Sequence, residues 1–364
     1  MNCPKCGKEN LDGSQVCQFC NWVFEQVAST VDSIIILTSR LAIASLVLGV
    51  LSFFTCGITI IPAIILGIIS IIQIEKSGGR LTGSGFATIG ISTSVVAFLL
   101  LILIVLPAVR ERYFRIVCAG NLSCIGMDMF IYANDYEDKL PRAGGPNSRW
   151  TGRIPNWAAD NRSDAYGLAD GDGEVSITSS FYLLYKSYFS SSLKAFVCKG
   201  DSGITMFEPI EYGIYDKELI KLWDFGPEPG KHCSYAYHNP YGQYALTTSC
   251  EPGMAVVADR NPWMNTPYIK ARDFSLFRWN GDIQQQKAGN STAHEPEGQS
   301  VLFLDGHVSF EKRPYCGIKD DNIYTFWNET DIQQGSPPEI GSQPANRLDS
   351  LLVHDGDGKA KSRP

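Results

Sequence analysis

Four of the eleven cysteines lie at the start of the chain, as Cys3-x2-Cys6 and Cys17-x2-Cys20. Each Cys-x-x-Cys turn offers two thiolates to one ion, and two such turns close a tetrahedral zinc shell. Pro4 stiffens the first turn, and Gly7 follows its second sulfur, where a tight knuckle asks for positive φ. A redox dithiol of the same spacing needs a surrounding βαβ unit, for which so short a segment has no room. Residues 1–24 therefore read as a zinc ribbon whose folding energy is the metal itself.

Asp259, His294, Asp305 and His307 are residue types that do acid–base or metal chemistry. They stand as a candidate surface site, and His294, Asp305 and His307 as the group an enzyme would use. A blander reading gives Asp305 to a turn and His307 to an exposed strand face. Asp170-Gly-Asp172-Gly-Glu174 is spaced as the start of a calcium loop, but its twelfth position is Phe181, so Ca2+ ranks behind zinc as a cofactor. The chain holds no Gly-x-Ser-x-Gly, phosphate loop or His-Glu-x-x-His. No catalytic residue is assigned, and the chain is expected not to be an enzyme.

Six further cysteines, at 118, 124, 198, 233, 250 and 316, follow the apolar part of the chain. Cys118 and Cys124 are six apart on one predicted helix, about 9 Å at 1.5 Å per residue. A disulfide tolerates at most roughly 7 Å between Cα atoms, so these two cannot bridge. Cys118 lies on the apolar face of that helix and Cys198 ends the apolar segment 195–198. Either they bridge each other, or both are buried reduced thiols packing as small hydrophobes.

These residues must be positioned by three kinds of element. The 364 residues carry 31 basic and 38 acidic side chains, a balance that argues against a general nucleic-acid binder. The mean hydropathy of −0.06 hides a partition, because the continuous apolar sequence is confined to residues 41–109. Residues 41–74 carry no charge until Glu75; as one helix they would reach about 51 Å, against a hydrocarbon core of about 30 Å. Thr55-Cys56-Gly57 and Pro62 offer a break, giving a bent helix or a re-entrant hairpin. Residues 86–109 make one clean transmembrane helix.

The helical pattern then continues. Phe114, Cys118, Leu122, Ile125, Met129 and Tyr132 form one apolar face, ended by Asn134-Asp135 and Pro141. Further on, Asp305-Gly306 reads as a two-residue hairpin turn. That turn sets Phe303 opposite Val308 and Val301 opposite Phe310, with all four on one buried face. Residues 254–258 read as a buried strand and 234–238 as a half-buried one. Residues 335–364 read as a flexible tail with an edge strand at 348–354.

The polar, Cys-rich start is no signal peptide, so export of the C-terminal part is expected to use the internal apolar segment. Arg40, Lys76 and Arg80 favour a cytoplasmic ribbon and an extracytoplasmic C-terminal domain; Arg110, Arg112 and Arg115 argue the other way.

Two resemblances follow from these segments. Leu41-Ala-Ile-Ala-Ser-Leu-Val-Leu-Gly, Pro62-Ala-Ile-Ile-Leu-Gly and Lys76-Ser-Gly-Gly-Arg-Leu-Thr-Gly-Ser-Gly resemble a small bacterial membrane domain of unknown function. That domain often follows a zinc ribbon. Leu106-Pro-Ala-Val-Arg-Glu-Arg, Cys118-Ala-Gly-Asn-Leu-Ser-Cys-Ile-Gly and Tyr132-Ala-Asn-Asp resemble the spine of a prepilin-type family related to type IV pilins and type II secretion pseudopilins. Phe196-Val-Cys-Lys-Gly-Asp is similar to its Cys-Pro-Ser-Asp segment. Ala258-Asp-Arg-Asn-Pro and Val301-Leu-Phe-Leu-Asp-Gly-His-Val are similar to its later strands. The family is marked by His, nine residues, then Asp-Gly; here ten residues separate His294 from Asp305. No Gly-Phe-Thr-Leu-Ile-Glu precedes Phe86, so the leader processing of that family is not expected here.

The resemblance implies an α+β fold in which a long pilin-like helix packs on an antiparallel sheet with long loops. The expected domains are a zinc ribbon (1–24), a linker (25–40), a membrane segment (41–109), a pseudopilin-like domain (110–334) and the tail (335–364). The expected role is an interaction or scaffold protein of the bacterial inner membrane. Its partners would be the lipid bilayer and other envelope or pseudopilin-like proteins, with no small-molecule substrate or nucleic acid. The rivals are a cytoplasmic-facing regulator, whose ribbon binds a protein or nucleic acid, and the enzyme above.

Overall fold

The computed structural model describes residues 1–24, 37–169, 171–187, 192–266, 268–294, 296–327 and 331–356. Most of the expected linker, and Asp170 of the calcium-like loop, lie outside the described residues. The chain divides into two compact units, Met1–Leu106 and Pro107–Pro364.

In the first unit, helices α1 (Arg40–Leu51) and α2 (Ile60–Lys76) form a hairpin. Ser39 caps α1 by accepting from the Ala42 amide. The break falls at residues 52–59, where Cys56 and Gly57 take φ of 48° and 84°. Pro62, expected to help make that break, instead sits in the first turn of α2, where a missing N–H leaves no bond unmade. The two helices have 12 and 17 residues, about 18 and 26 Å, each short of a hydrocarbon core of about 30 Å. Two short strands, β1 (Leu37–Thr38) and β2 (Leu81–Thr82), pair in parallel. The entry to α1 and the entry to the next helix, α3 (Ser84–Asp135), therefore lie at the same end of the hairpin.

The packing of this unit is inside-out relative to a water-soluble bundle. Apart from Ile60, the buried residues of its helices are small: Ala42, Ser45 and Gly49 from α1, Ala63, Gly67 and Ser70 from α2, and Ala87, Gly90 and Ser94 from α3. Large side chains such as Ile43, Val47, Ile61, Ile65, Ile72, Val96 and Leu99 face outward. Small residues let helix backbones approach where lipid, not water, covers the outer face. A Cβ on Gly49 would lie 2.5 Å from the Gly90 carbonyl oxygen, and the Ser45 hydroxyl donates to the Ala63 carbonyl at 2.8 Å.

Helix α3 has 52 residues, about 78 Å at 1.5 Å per residue, and contains Pro107. By length and composition it could cross a membrane. In the second unit its face Cys118, Leu122, Ile125 and Met129 is buried. That face lies on a five-stranded antiparallel sheet made of β5 (Tyr235–His238), β6 (Ala255–Asp259), β7 (Gln299–Phe303), β8 (Val308–Glu311) and β9 (Leu352–Val353), in the order β8-β7-β6-β5-β9. Gly126 permits the close approach, since a Cβ there would lie 2.8 Å from a Leu302 methyl. A two-stranded parallel pair, β3 (Arg149–Trp150) with β4 (Glu174–Val175), and the helices α4 (Arg162–Tyr166) and α5 (Ile177–Lys186) complete the frame. The opposite sheet face is covered too: Ala236, Ala258, Val301, Phe303 and Leu352 pack with Trp263, Phe277, Ile323 and Tyr324. For that reason β5, expected to be half-buried, is buried along its whole length.

Three expectations change here. The β7–β8 turn holds three residues, with Gly306 at φ 89°, so the register is shifted by one from that expected. Leu302 faces Val308 and Val301 faces Ser309, while Phe303 lies opposite His307 and stacks on its ring. Val308 therefore shares the helix-side core with Leu302, and Val301 and Phe303 point the other way. Finally, residues 335–356 are not a loose tail. Leu352–Val353 forms the edge strand on β5, and the buried Asp355 carboxylate accepts from Trp150 Nε1, the Ile177 and Thr178 amides and the Thr178 hydroxyl, at 2.8–2.9 Å. These donors gather at the first turn of α5, whose free amides favour an anion. Asp355→Ala leaves four buried donors without a partner, so denaturant unfolding should show a loss of about 2–4 kcal/mol in the second unit.

Burial, and then the neighbouring Asp355, push Asp224 up to about 8, and burial with Asp349 pushes Asp321 up to about 8. A carboxyl raised from an ordinary value of 3.8 is most favourable to folding when protonated in both states, and that stability is lost as pH rises through about 8. His238 and His354, pushed down to about 4 by burial, act oppositely and only below their ordinary value of 6.5. Stability should therefore fall between pH 6.5 and roughly pH 9. Asp224→Asn should flatten that slope in thermal unfolding; an unchanged slope would remove Asp224 as its cause.

Candidate functional site

The N-terminal knuckles are built alike. Gly7 N–H donates to the Cys3 carbonyl and Asn21 N–H to the Cys17 carbonyl, and Gly7 and Asn21 take φ of 70° and 55°. Isolated antiparallel bridges Asn2–Glu9 and Val16–Val23 close the two loops. Cys3 and Cys20 sulfurs lie 3.6 Å apart, and those of Cys6 and Cys17 3.7 Å apart. A tetrahedron with Zn–S bonds of about 2.3 Å has edges of roughly 3.8 Å, so the four sulfurs fit one ion. The Asn10 amide donates to the Cys17 sulfur at 3.4 Å. Burial works to raise the Cys17 thiol, but hydrogen bonds from the backbone at Phe19 and from Asn10 outweigh it and favour the thiolate. These four cysteines could bind a metal such as zinc.

A second cluster lies in the core of the larger unit. Cys118 on α3 is joined to Cys198 by a disulfide, with Cα atoms 5.3 Å apart. Beside it, His294 is fully buried. Its Nδ1 is 2.9 Å from the Glu111 carboxylate on α3, and its Nε2 is 3.6 Å from the Cys198 sulfur and 3.5 Å from the Asp259 carboxylate at the end of β6. Glu111 is held in turn by Arg115 at 3.0 Å. Asp259 Oδ2 accepts from the Ser300 amide at 2.6 Å. Burial pushes Asp259 up to about 6, against the lowering effect of His294. Next in sequence, Arg260 pairs with the buried Asp201 at 3.2 Å and donates to the Cys233 carbonyl, which fixes the 198–201 turn to the end of β6.

This placement corrects the expected surface site. Asp259 and His294 are buried, whereas Asp305 and His307 pair with each other on the exposed β7–β8 hairpin, the Asp305 carboxylate also accepting from the His307 amide. His294, Asp305 and His307 therefore do not form one group, because His307 is spent on the turn and the ring of Phe303. Glu111 was missed, although its position seven residues before Cys118 puts it on the same helix face. Of the calcium-like loop, Asp172 is paired with Arg149 at 2.7 Å. Among the described residues, metal-competent clusters occur only at the four N-terminal cysteines and at Cys118, Cys198, Asp259 and His294.

Residues 41–104 match a family described as a domain of unknown function, DUF4190. Neither a curated protein nor a solved structure matches the chain. Fold and composition together thus define a mixed helix-and-sheet protein with one helix apolar enough to cross a membrane and a four-cysteine cluster suited to a metal.

With the disulfide intact, the full-length protein should carry about one zinc per chain, released by a chelator with loss of the ribbon fold. Cys3→Ser with Cys17→Ser should abolish it in elemental analysis; an unchanged zinc content would place the metal elsewhere.

Proposed function

We propose that this protein is a non-enzymatic scaffold anchored in the bacterial inner membrane, with a cytoplasmic zinc ribbon and a pseudopilin-like domain on the outer side. The observation that carries this reading is the two-faced character of α3. One face of its second half is buried on the sheet. The other exposes Tyr113, Ile116, Met127 and Ile131, with the small Gly120 and the thiol of Cys124 between them. Steps of three and four residues along 113, 116, 120, 124, 127 and 131 make a continuous stripe of the kind a neighbouring helix packs against. A pseudopilin spine offers such a stripe to other envelope proteins of its kind, which are the partners proposed here.

The orientation rests on charge. The β1–β2 pairing keeps Arg40, Lys76 and Arg80 at the end of the hairpin where α3 begins, and basic residues favour the cytoplasmic side. Arg110, Arg112 and Arg115, beyond the apolar stretch, favour the opposite orientation. They support the second reading, a cytoplasmic-facing membrane regulator with a protein or nucleic acid on the ribbon, which requires that α3 lie against the bilayer without crossing it.

Cys124 separates the two, because it is an exposed free thiol in the larger unit. In spheroplasts a membrane-impermeant maleimide should label the peptide containing Cys124 without permeabilisation, and added protease should reach the same domain. Labelling and cleavage only after the membrane is opened would sink the scaffold placement and leave the regulator.

A further inference from the structure

The scaffold reading makes no use of the buried cluster around His294. We propose that, when its disulfide is reduced, Cys118, Cys198, His294 and Asp259 become a four-ligand site for a divalent metal ion, zinc above all. The link between helix and sheet would then exist in two interchangeable forms, a disulfide or a metal.

The geometry is already close to what the ion requires. The four ligand atoms lie within 4.8 Å of one another, and all four residues are buried. With Zn–S of about 2.3 Å and Zn–N and Zn–O of about 2.0–2.1 Å, tetrahedral edges come to roughly 3.6 Å for sulfur–nitrogen and roughly 3.4 Å for nitrogen–oxygen. The Cys198 sulfur is 3.6 Å from His294 Nε2, and Asp259 Oδ2 is 3.5 Å from the same nitrogen. The two sulfurs must also separate to roughly 3.8 Å, which reduction permits.

Two further observations point to a missing cation. Asp259 Oδ1 is buried with no hydrogen-bond partner, a costly state for a carboxylate oxygen that a bound ion would relieve. The Glu111 carboxylate, 2.9 Å from His294 Nδ1, is placed to accept a hydrogen bond from Nδ1–H, the tautomer that turns the lone pair of Nε2 toward Cys198 and Asp259. A carboxylate on the distal nitrogen is the arrangement that orients histidine for a metal. The 199–201 turn packs directly on the cluster, since a Cβ on Gly200 would lie 2.3 Å from the Ala293 carbonyl oxygen and 3.0 Å from His294 Nδ1.

The redox step balances with a dithiol reductant. One of its thiolates attacks a sulfur of the disulfide, and its second thiol resolves the mixed disulfide. Two electrons and two protons pass to Cys118 and Cys198, and the reductant leaves as its own disulfide. Metal binding then releases the two thiol protons to solvent without changing the oxidation state of the ion.

The test uses the full-length chain with the ribbon disabled by Cys3→Ser, Cys6→Ser, Cys17→Ser and Cys20→Ser. Oxidised protein, and protein reduced with dithiothreitol and desalted without oxygen, are each titrated with Zn2+ and Co2+. The reduced chain should take up about one Zn2+, and Co2+ in its place should give thiolate-to-metal charge-transfer absorption. The oxidised chain should take up none. Glu111→Gln should weaken uptake roughly 10- to 100-fold and leave the disulfide of the oxidised chain intact by peptide mapping. Three results would each overturn the proposal: a reduced chain that keeps its circular dichroism but binds no Zn2+, a reduced chain that unfolds and binds none, and equal uptake by the chain with its disulfide intact.

Discussion

The architecture of the larger unit depends on one buried junction, where α3 leaves its apolar stretch and meets the sheet. Cys118 is covalently tied to Cys198, and seven residues earlier Glu111 is hydrogen-bonded to His294, whose Nε2 lies 3.5 Å from Asp259 at the end of β6. The disulfide closes a loop of 80 residues, which loop entropy values at about 4.5 kcal/mol. Apolar contacts alone would let a long helix slide along a sheet, since a Leu or Ile side chain accepts many neighbours. A bond with fixed length and two polar contacts with fixed direction do not. Arg115 adds to the same point, bonding Glu111 and lying over the Phe310 ring at 4.0 Å, so the helix is registered against β8 as well.

Registering the helix on one sheet face makes demands on the rest of the chain. The opposite face must be covered by long, irregular segments, and such segments bring polar backbone and side chains into the core. The chain meets this with buried acids that each collect several donors. Asp355 gathers Trp150 and the first turn of α5, and the Asp321 carboxylate accepts from Trp327 and from the Ser350 amide. The cost is carboxyls held well above their ordinary range by burial. Such positions order the loops only while their donors stay in place.

What could be read in the sequence was what local spacing determines. The Cys-x-x-Cys pairs, the apolar stretch of α3 and its face at Cys118, Leu122, Ile125 and Met129 repeat over a few residues, and the structure places them accordingly. The hairpin register was misread because Asp305-Gly306 suits both a two-residue turn and a three-residue loop with Gly306 left-handed, and only packing on both sheet faces selects the second. The C-terminal segment was misread because its order rests on Asp355 meeting Ile177, a contact across 178 residues that no local pattern encodes. The cluster of Glu111, Cys118, Cys198, Asp259 and His294 draws on separate segments for the same reason. Its clue lay in the Cys198-Lys-Gly-Asp turn, where a glycine and a buried acid make sense only against something packed tightly above them.

Helix α3 obeys two packing rules along its length, and they change over between Ser94 and Cys118. Up to Ser94 its buried positions are small and its outward ones large, which in water would expose apolar surface for no return. From Cys118 onward the buried positions are large and the helix behaves as one in an ordinary core. Between them lie Pro107 and then Arg110, Arg112 and Arg115, residues that neither rule would place in the middle of a uniform helix. Arginines with long apolar stems suit the boundary between hydrocarbon and water, where the stem stays in one phase and the guanidinium in the other. On the membrane reading, the Glu111–His294 junction therefore starts within about one helical turn of the lipid surface.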